Sequence, residues 1–200
     1  MISRKFLTIA IAAVSGGGKT FITTELHNHI ENSKVLCFDD YDSDGPENIC
    51  EWVENGSDYN EWNLKSLTNE IDKIINDKDN KVELLILDYP FAKKHDIMNN
   101  YIDYTIFIDT PLDISLSRRI LRDFKDQSKS DIQNELYDYV TNQRVAYLDM
   151  LKKIKPNSDL IIDGALEKDI IIKRIMEELL KVKSETLLND EIKMKGFKDE

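Results

Sequence analysis

Residues 13–20 read AVSGGGKT and follow directly on the apolar run FLTIAIA at 6–12. Gly18, Lys19 and Thr20 match the end of the phosphate-loop pattern, which runs glycine, four residues, then Gly-Lys-[Ser/Thr]. Ala13 stands where that pattern opens on glycine. A strand that turns into a helix through glycines leaves several backbone N–H groups aimed into one concavity, and the helix N-terminus adds roughly half a positive charge there. On this reading Ser15, Gly16, Gly17 and Gly18 wrap a triphosphate, with Phe21 closing the nucleotide-binding segment. Lys19 reaches the β- and γ-phosphates and Thr20 holds Mg²⁺ through its hydroxyl. ATP and Mg²⁺ are the expected cofactors. Ala13 lies where the strand leaves the sheet, so its methyl group is tolerable if φ is negative.

The rest of the chain suits this loop. Two hundred residues with 41% hydrophobic content fit one α/β domain. The net charge of −11 argues against nucleic-acid binding by a broad basic surface. It also makes local cations informative: of six arginines, Arg118, Arg119 and Arg122 fall within five residues. No apolar stretch reaches the ~18 residues of a membrane span. The N-terminal MISRKFLTIAIAAVSGG has the look of a secretory signal, but its apolar run ends in the glycine loop and reads better as a buried first strand. Two cysteines, Cys37 and Cys50, with no CxxC, fit a reducing cytoplasm and argue against a disulfide framework or structural zinc.

Strand and helix signals alternate. FLTIAIAAV (6–14), KVLCF (34–38), VELLILD (82–88), TIFID (105–109) and DLIID (159–163) read as strands. Helices are expected from Lys19 to about Glu31, at 47–55, 64–75 and 113–124, as one amphipathic helix at 131–154, and at 167–183. Unbroken Leu/Ile/Val strands between helices predict a three-layer α/β/α fold with a mainly parallel sheet and a small helical lid at about 118–144. The domain is expected to span 1–183, with a charged tail at 184–200. The helices at 131–154 and 167–183 could pack internally or form a homodimer.

Acidic residues fall where chemistry needs them. Asp39 and Asp40 end the second strand, on the edge where open α/β sheets bind ligands. A carboxylate there can take the proton of a hydroxyl attacking a γ-phosphate; an acidic turn, prolonged by Asp42 and Asp44, is the alternative. Asp88 ends the third strand and has the place of an acid that contacts Mg²⁺. The arginine cluster in SRRILRDF reads as a clamp for transferring phosphates. In GSDYNEWNL, Asp58, Tyr59 and Trp62 either bind an acceptor or pack a small helical subdomain together with Trp52. His27, His29 and His95 have no ligand constellation around them.

These segments together resemble the uridine kinase-like branch of the P-loop kinases. IAIAAVSGGGKT is similar to that family's first strand and loop, LCFDDYD to its catalytic-base segment, and YTIFIDTPLDISLSRRILRDF to its lid-forming strand and helix. The resemblance implies Asp39 as base with Asp40 beside it, and phosphate contacts from Arg119 and Arg122 with Arg118 nearby. The chain departs from the family in four places: Ala13 stands where the family usually has glycine, Asp88-Tyr89 replaces Glu-Gly, FKDQSKS replaces further lid arginines, and the His-Pro nucleoside-binding stretch is missing. The expectation is therefore an ATP- and Mg²⁺-dependent cytoplasmic kinase for a small-molecule acceptor that the sequence does not name. A nucleotide-binding regulatory module and an NTP hydrolase are the alternatives.

Overall fold

The computed structural model describes residues 6–41 and 43–196, with side chains as far as residue 184. Five strands carry the unbroken apolar runs: β1 (Leu7–Ala12), β2 (Ser33–Cys37), β3 (Leu84–Asp88), β4 (Tyr104–Asp109) and β5 (Leu160–Asp163). They form one sheet in the order β2-β3-β1-β4-β5, and every pairing is parallel. In the central strands Ile9, Ala10, Ile11, Leu85, Ile86 and Leu87 are fully buried, which is why neither strand alternates with polar residues.

Between the strands run α1 (Lys19–His29), α2 (Ile49–Glu54), α3 (Lys65–Asn76), α4 (Asp96–Asn99), α5 (Leu112–Asp123), α6 (Lys129–Asp138) and α7 (Arg144–Lys153). Helices on both faces make the three-layer α/β/α arrangement of P-loop NTPases. The amphipathic α3 shows the logic: Leu67, Thr68, Ile71 and Ile74 are buried at helical spacing, while Lys65, Ser66 and Lys73 are exposed. The chain leaves β1 towards β2 on one side, and β4 towards β5 on the other. The carboxyl ends of β1 and β4 therefore flank a crevice where ligands of such sheets bind.

The stretch expected as one helix at 131–154 is divided. A π-helical turn, Tyr139–Gln143, separates α6 from α7. Contacts divide the chain into two compact units, split after Ala165. The second consists mainly of α8 (Lys168–Gly196), on which Ile171, Ile172, Ile175 and Leu179 are buried at helical spacing. Of the tail expected at 184–200, residues 184–196 continue α8, and 197–200 lie outside the described residues, as does Asp42. Among the described residues no helix is long and apolar enough to cross a membrane.

Candidate active site

The loop begins where β1 ends. Ala13 is buried, and it is not among the residues with positive φ, so the alanine needs no strained backbone. Gly17 donates its N–H to the Val14 carbonyl at 2.8 Å, which closes a tight turn. A Cβ on Gly17 would stand 2.8 Å from both the Ala13 Cβ and the Val14 oxygen. A Cβ on Gly16 would fall 2.1 Å from the Ser115 carbonyl oxygen of α5, and the φ of +76° there already favours glycine. Thr110, just after β4, donates its hydroxyl to the Gly17 carbonyl at 2.8 Å. The loop is thus pinned between β1, β4 and α5. Gly18 occupies the N-cap of α1, which has no side-chain cap and no acid in its first turn, leaving the charge of that N-terminus for an anion.

Asp88 meets this loop from β3. Its carboxylate is 2% exposed; one oxygen accepts the Thr20 hydroxyl at 2.7 Å and the other lies 3.2 Å from the Lys19 ammonium. Sheet register puts Asp88 beside Ile11, two residues before the loop, which fixes this meeting. A carboxylate and a hydroxyl in contact form a pair of hard oxygen donors suited to Mg²⁺, which takes one or two protein oxygens and completes its shell with phosphates and water. Among the described residues no cluster of three His, Cys, Asp or Glu side chains could hold a metal by itself. Phe21 follows Thr20 on α1 and is 38% exposed.

The arginines of α5 take three different surroundings. Arg118 donates through both terminal nitrogens to the Gly164 carbonyl, at 3.3 Å each. Arg119 passes close to the loop: a Cβ on Gly16 would lie 3.3 Å from the Arg119 Cβ. Its guanidinium pairs with Glu135, donates to Gln143 at 2.6 Å, and lies beside the neighbouring rings of Tyr139 and Tyr147. Arg122 is exposed and forks onto Asp123 at 2.6 and 2.9 Å. That hydrogen-bonded pair raises the Arg122 pKa, and the charge of Asp39 adds to it, so Asp39 and Arg122 share one electrostatic neighbourhood.

Asp39 and Asp40 lie exposed on the 3₁₀ turn Phe38–Asp40, which follows β2 directly. Burial pushes the neighbouring Cys37 thiol up, and the charges of Asp88, Asp39 and Asp40 add to that shift. Phe38 leads into an aromatic cluster: Trp62, Tyr89 and Phe91 surround it with centroids 5.5–5.9 Å away, all edge-on. Trp62 is partly exposed and packs on Phe91 at 4.9 Å. Tyr59 is buried against Trp52 and Phe91, and its hydroxyl donates to the buried Asp149 at 3.0 Å. Burial, then Asp149, pushes the Tyr59 phenol well above its usual value. Asp58 is exposed and caps the turn Tyr59–Glu61 by accepting the Asn60 N–H. His95 is buried with its Nε2 3.1 Å from the Trp62 carbonyl oxygen, which ties α4 to this cluster.

Lys19, Thr20, Asp88 and the loop therefore come together, with Arg119 against the loop and Arg122 electrostatically linked to Asp39. Tyr59 hydrogen-bonds Asp149, and Asp58, exposed, caps the turn Tyr59–Glu61. Sequence reasoning passed over Glu135, Gln143 and Tyr147. Nothing in their spacing on an ordinary helix gathers them around Arg119.

No protein-family model matches the chain. It is 31% identical over 159 residues to the uridine kinase of Ureaplasma parvum serovar 3, an alignment covering 65% of this chain and 75% of that one. The chain belongs to the uridine kinase-like family of P-loop kinases. Uridine-cytidine kinase B of Dictyostelium discoideum is 23% identical to this kinase over 202 residues, 84% of this chain and 82% of its relative. A gluconokinase structure from Sinorhizobium meliloti 1021 superposes with a TM-score of 0.53 at 11% identity, covering 94% of this chain and 99% of that chain, a likeness of fold. Family membership makes the protein a phosphotransferase of the small-molecule kinase class.

Proposed function

We propose that this kinase transfers the γ-phosphoryl group of ATP to a hydroxyl of a small, nucleoside-like acceptor in the cytoplasm. The observation that carries this reading is the buried Asp88 carboxylate joined to Lys19 and Thr20 at the foot of the loop. Ser15 to Gly18 and the N-terminus of α1 bind the phosphates, with Phe21 beside them and Arg118 on the nucleotide side near Gly164. Thr20 and Asp88 would hold Mg²⁺, which supplies charge neutralisation on the phosphate oxygens when bound. Asp39, exposed at the end of β2, accepts the proton of the attacking hydroxyl. Lys19, Arg119 and Arg122 stabilise the charge that spreads over the transferring group.

Asp40, Asp58 and Trp62 border the acceptor, and Tyr59 braces that side from the aromatic cluster. Lid closure over residues 118–144 would exclude water, keeping ATP hydrolysis slow without acceptor. Uridine and cytidine, named in the relatives, head the acceptors to test. The missing His-Pro stretch and the Tyr89 side chain beside Asp88 leave the acceptor unassigned.

ADP release with MgATP, scanned over pools of nucleosides, sugars and vitamins, tests the reading. One pool should stimulate release strongly, and Asp39→Asn should abolish that stimulation while the variant still binds MgATP. Normal turnover in Asp39→Asn would remove Asp39 as the base. Tight ATP binding that no pool stimulates would favour a regulatory nucleotide-binding module.

A further inference from the structure

Arg119 is held far more tightly than a surface lid arginine needs to be. Its Nη2 pairs with Glu135 and its Nη1 donates to the Gln143 amide oxygen at 2.6 Å. The Gln143 amide nitrogen in turn donates to the same Glu135 oxygen at 3.0 Å and to Asp138 at 2.5 Å. Three side chains thus close a ring of hydrogen bonds. The Arg119 and Glu135 side chains are only 12% and 17% exposed, so water screens the pair weakly. The guanidinium carbon of Arg119 lies 5.8 and 6.0 Å from the ring centroids of Tyr139 and Tyr147. The Arg119 Nε is buried with no hydrogen-bond partner among the described residues.

The geometry that gathers these partners is the π-helical turn Tyr139–Gln143. On an unbroken α-helix, at ~100° per residue, Tyr139, Gln143 and Tyr147 would lie about 40°, 80° and 120° around the axis from Glu135. A π-turn takes up one extra residue, which turns everything beyond it back by about 100° and brings Gln143 and Tyr147 to within about 20° of Glu135. The lengthened turn therefore converts a spiralling set of side chains into one face.

Resting on the kinase reading above, we infer that this π-turn is the positioning device of the phosphate clamp. It aligns Glu135, Tyr139, Gln143 and Tyr147 so that they hold the guanidinium of Arg119, whose Cβ lies against the loop at Gly16, ready for the terminal phosphate of the nucleotide. Arg119 is the contacting group, and the other four act through it. Such a closed, stacked network fixes a guanidinium in advance, and a preorganised donor costs no reorganisation when charge develops on the phosphate. It also bears on the shortage of lid arginines in FKDQSKS: with fewer cations available, the one against the loop is locked in place.

The test is calorimetric titration of the full chain with a magnesium-bound imido analogue of ATP and with MgADP. In Glu135→Gln, which keeps the side chain's shape, the ATP analogue should bind about tenfold more weakly, the scale of one charge-assisted hydrogen bond. ADP affinity should change little. Deleting Thr141, an exposed residue of the turn, should restore α-helical phase and produce the same selective loss. In Arg119→Lys the same selective loss should appear, and adding Glu135→Gln should weaken binding no further, because both act along one path. Equal weakening of ATP analogue and ADP would make Glu135 merely structural and overturn the inference, as would tighter binding of the analogue, which would make the carboxylate a competitor of phosphate. If the unaltered chain binds neither nucleotide, the kinase reading falls and this inference with it; if it binds both and Glu135→Gln leaves their ratio unchanged, the inference alone falls.

Discussion

The Ala13 methyl group takes the room that a Cβ on Gly17 would need, the two being 2.8 Å apart if Gly17 carried one. The loop therefore accommodates alanine at its first position because glycine is kept at its fifth. Gly17→Ala should cost about 1–3 kcal/mol of overpacking, spent in distorting the loop, and weaken MgATP binding accordingly. Combining it with Ala13→Gly should recover part of that loss, since the Val14 carbonyl still crowds the new methyl at 2.8 Å. Independent, additive losses in the titrations would disprove the pairing. A second residue separates a structural role from a binding one. Tyr59 donates to Asp149, whose other oxygen lies 2.8 Å from Lys153. Tyr59→Phe should lower stability by about 1.5–3 kcal/mol, the range for a hydrogen bond to a charged group, with the acceptor KM unchanged. A raised KM with an unchanged melting temperature would instead place Tyr59 against the acceptor.

Between elements, the junction of β4 and β5 depends on one carboxylate. Asp159 accepts the Thr105 N–H at 2.8 Å, the Thr105 hydroxyl at 2.7 Å and the Lys93 ammonium at 3.1 Å. Burial pushes this carboxyl up, but the Thr105 and Lys93 donors outweigh it, and its pKa is lowered. A depressed acid stabilises the fold above its unfolded value, roughly 3.9, and that contribution disappears as pH falls through the folded value. Asp159→Asn should therefore cost about 1 kcal/mol at pH 6, a figure kept small by the exposure of the site, and progressively less below about pH 4. Denaturant titrations at pH 6 and pH 3 decide it: an undiminished difference at pH 3 rules out the ionised carboxylate as the cause. The loop, Asp88 and the arginine cluster were legible because their chemistry depends on neighbours in sequence or on the end of an apolar strand. Glu135, Gln143 and Tyr147 were hidden, because a periodicity of 3.6 residues rotates them apart and only the inserted π-turn realigns them. Tyr59 and Trp62 stayed ambiguous, since an aromatic residue beside a site and one inside a core carry the same sequence signal.

Across the whole molecule, the strand order places rigid and movable parts on one edge of the sheet. β1 and β3 are central and fully enclosed, and the phosphate loop and Asp88 grow directly from their carboxyl ends. The arginines are carried on α5, beyond β4, with α6, the π-turn and α7 behind them; Leu121, Tyr137 and Val140 on these elements are at least 70% exposed. Parts with few buried apolar contacts open at low free energy, whereas central strands open only with global unfolding. On the proposed kinase reading, the net charge of −11 would favour a lid closing on nucleotide, because the phosphates would have to be held by a few local cations against the repulsion of the remaining surface. Hydrogen exchange should therefore find the amides of β1 and β3 slowest with or without ligand. An ATP analogue with Mg²⁺ should slow exchange at residues 13–20 and across 112–153, as the segment that carries the preformed Arg119 network docks on the phosphates. Protection confined to 13–20 would mean that the nucleotide engages the loop alone, and that closure waits for the acceptor; adding the acceptor identified by ADP release should then extend protection to 112–153. A segment that stays unprotected with both ligands bound would remove the lid from the mechanism.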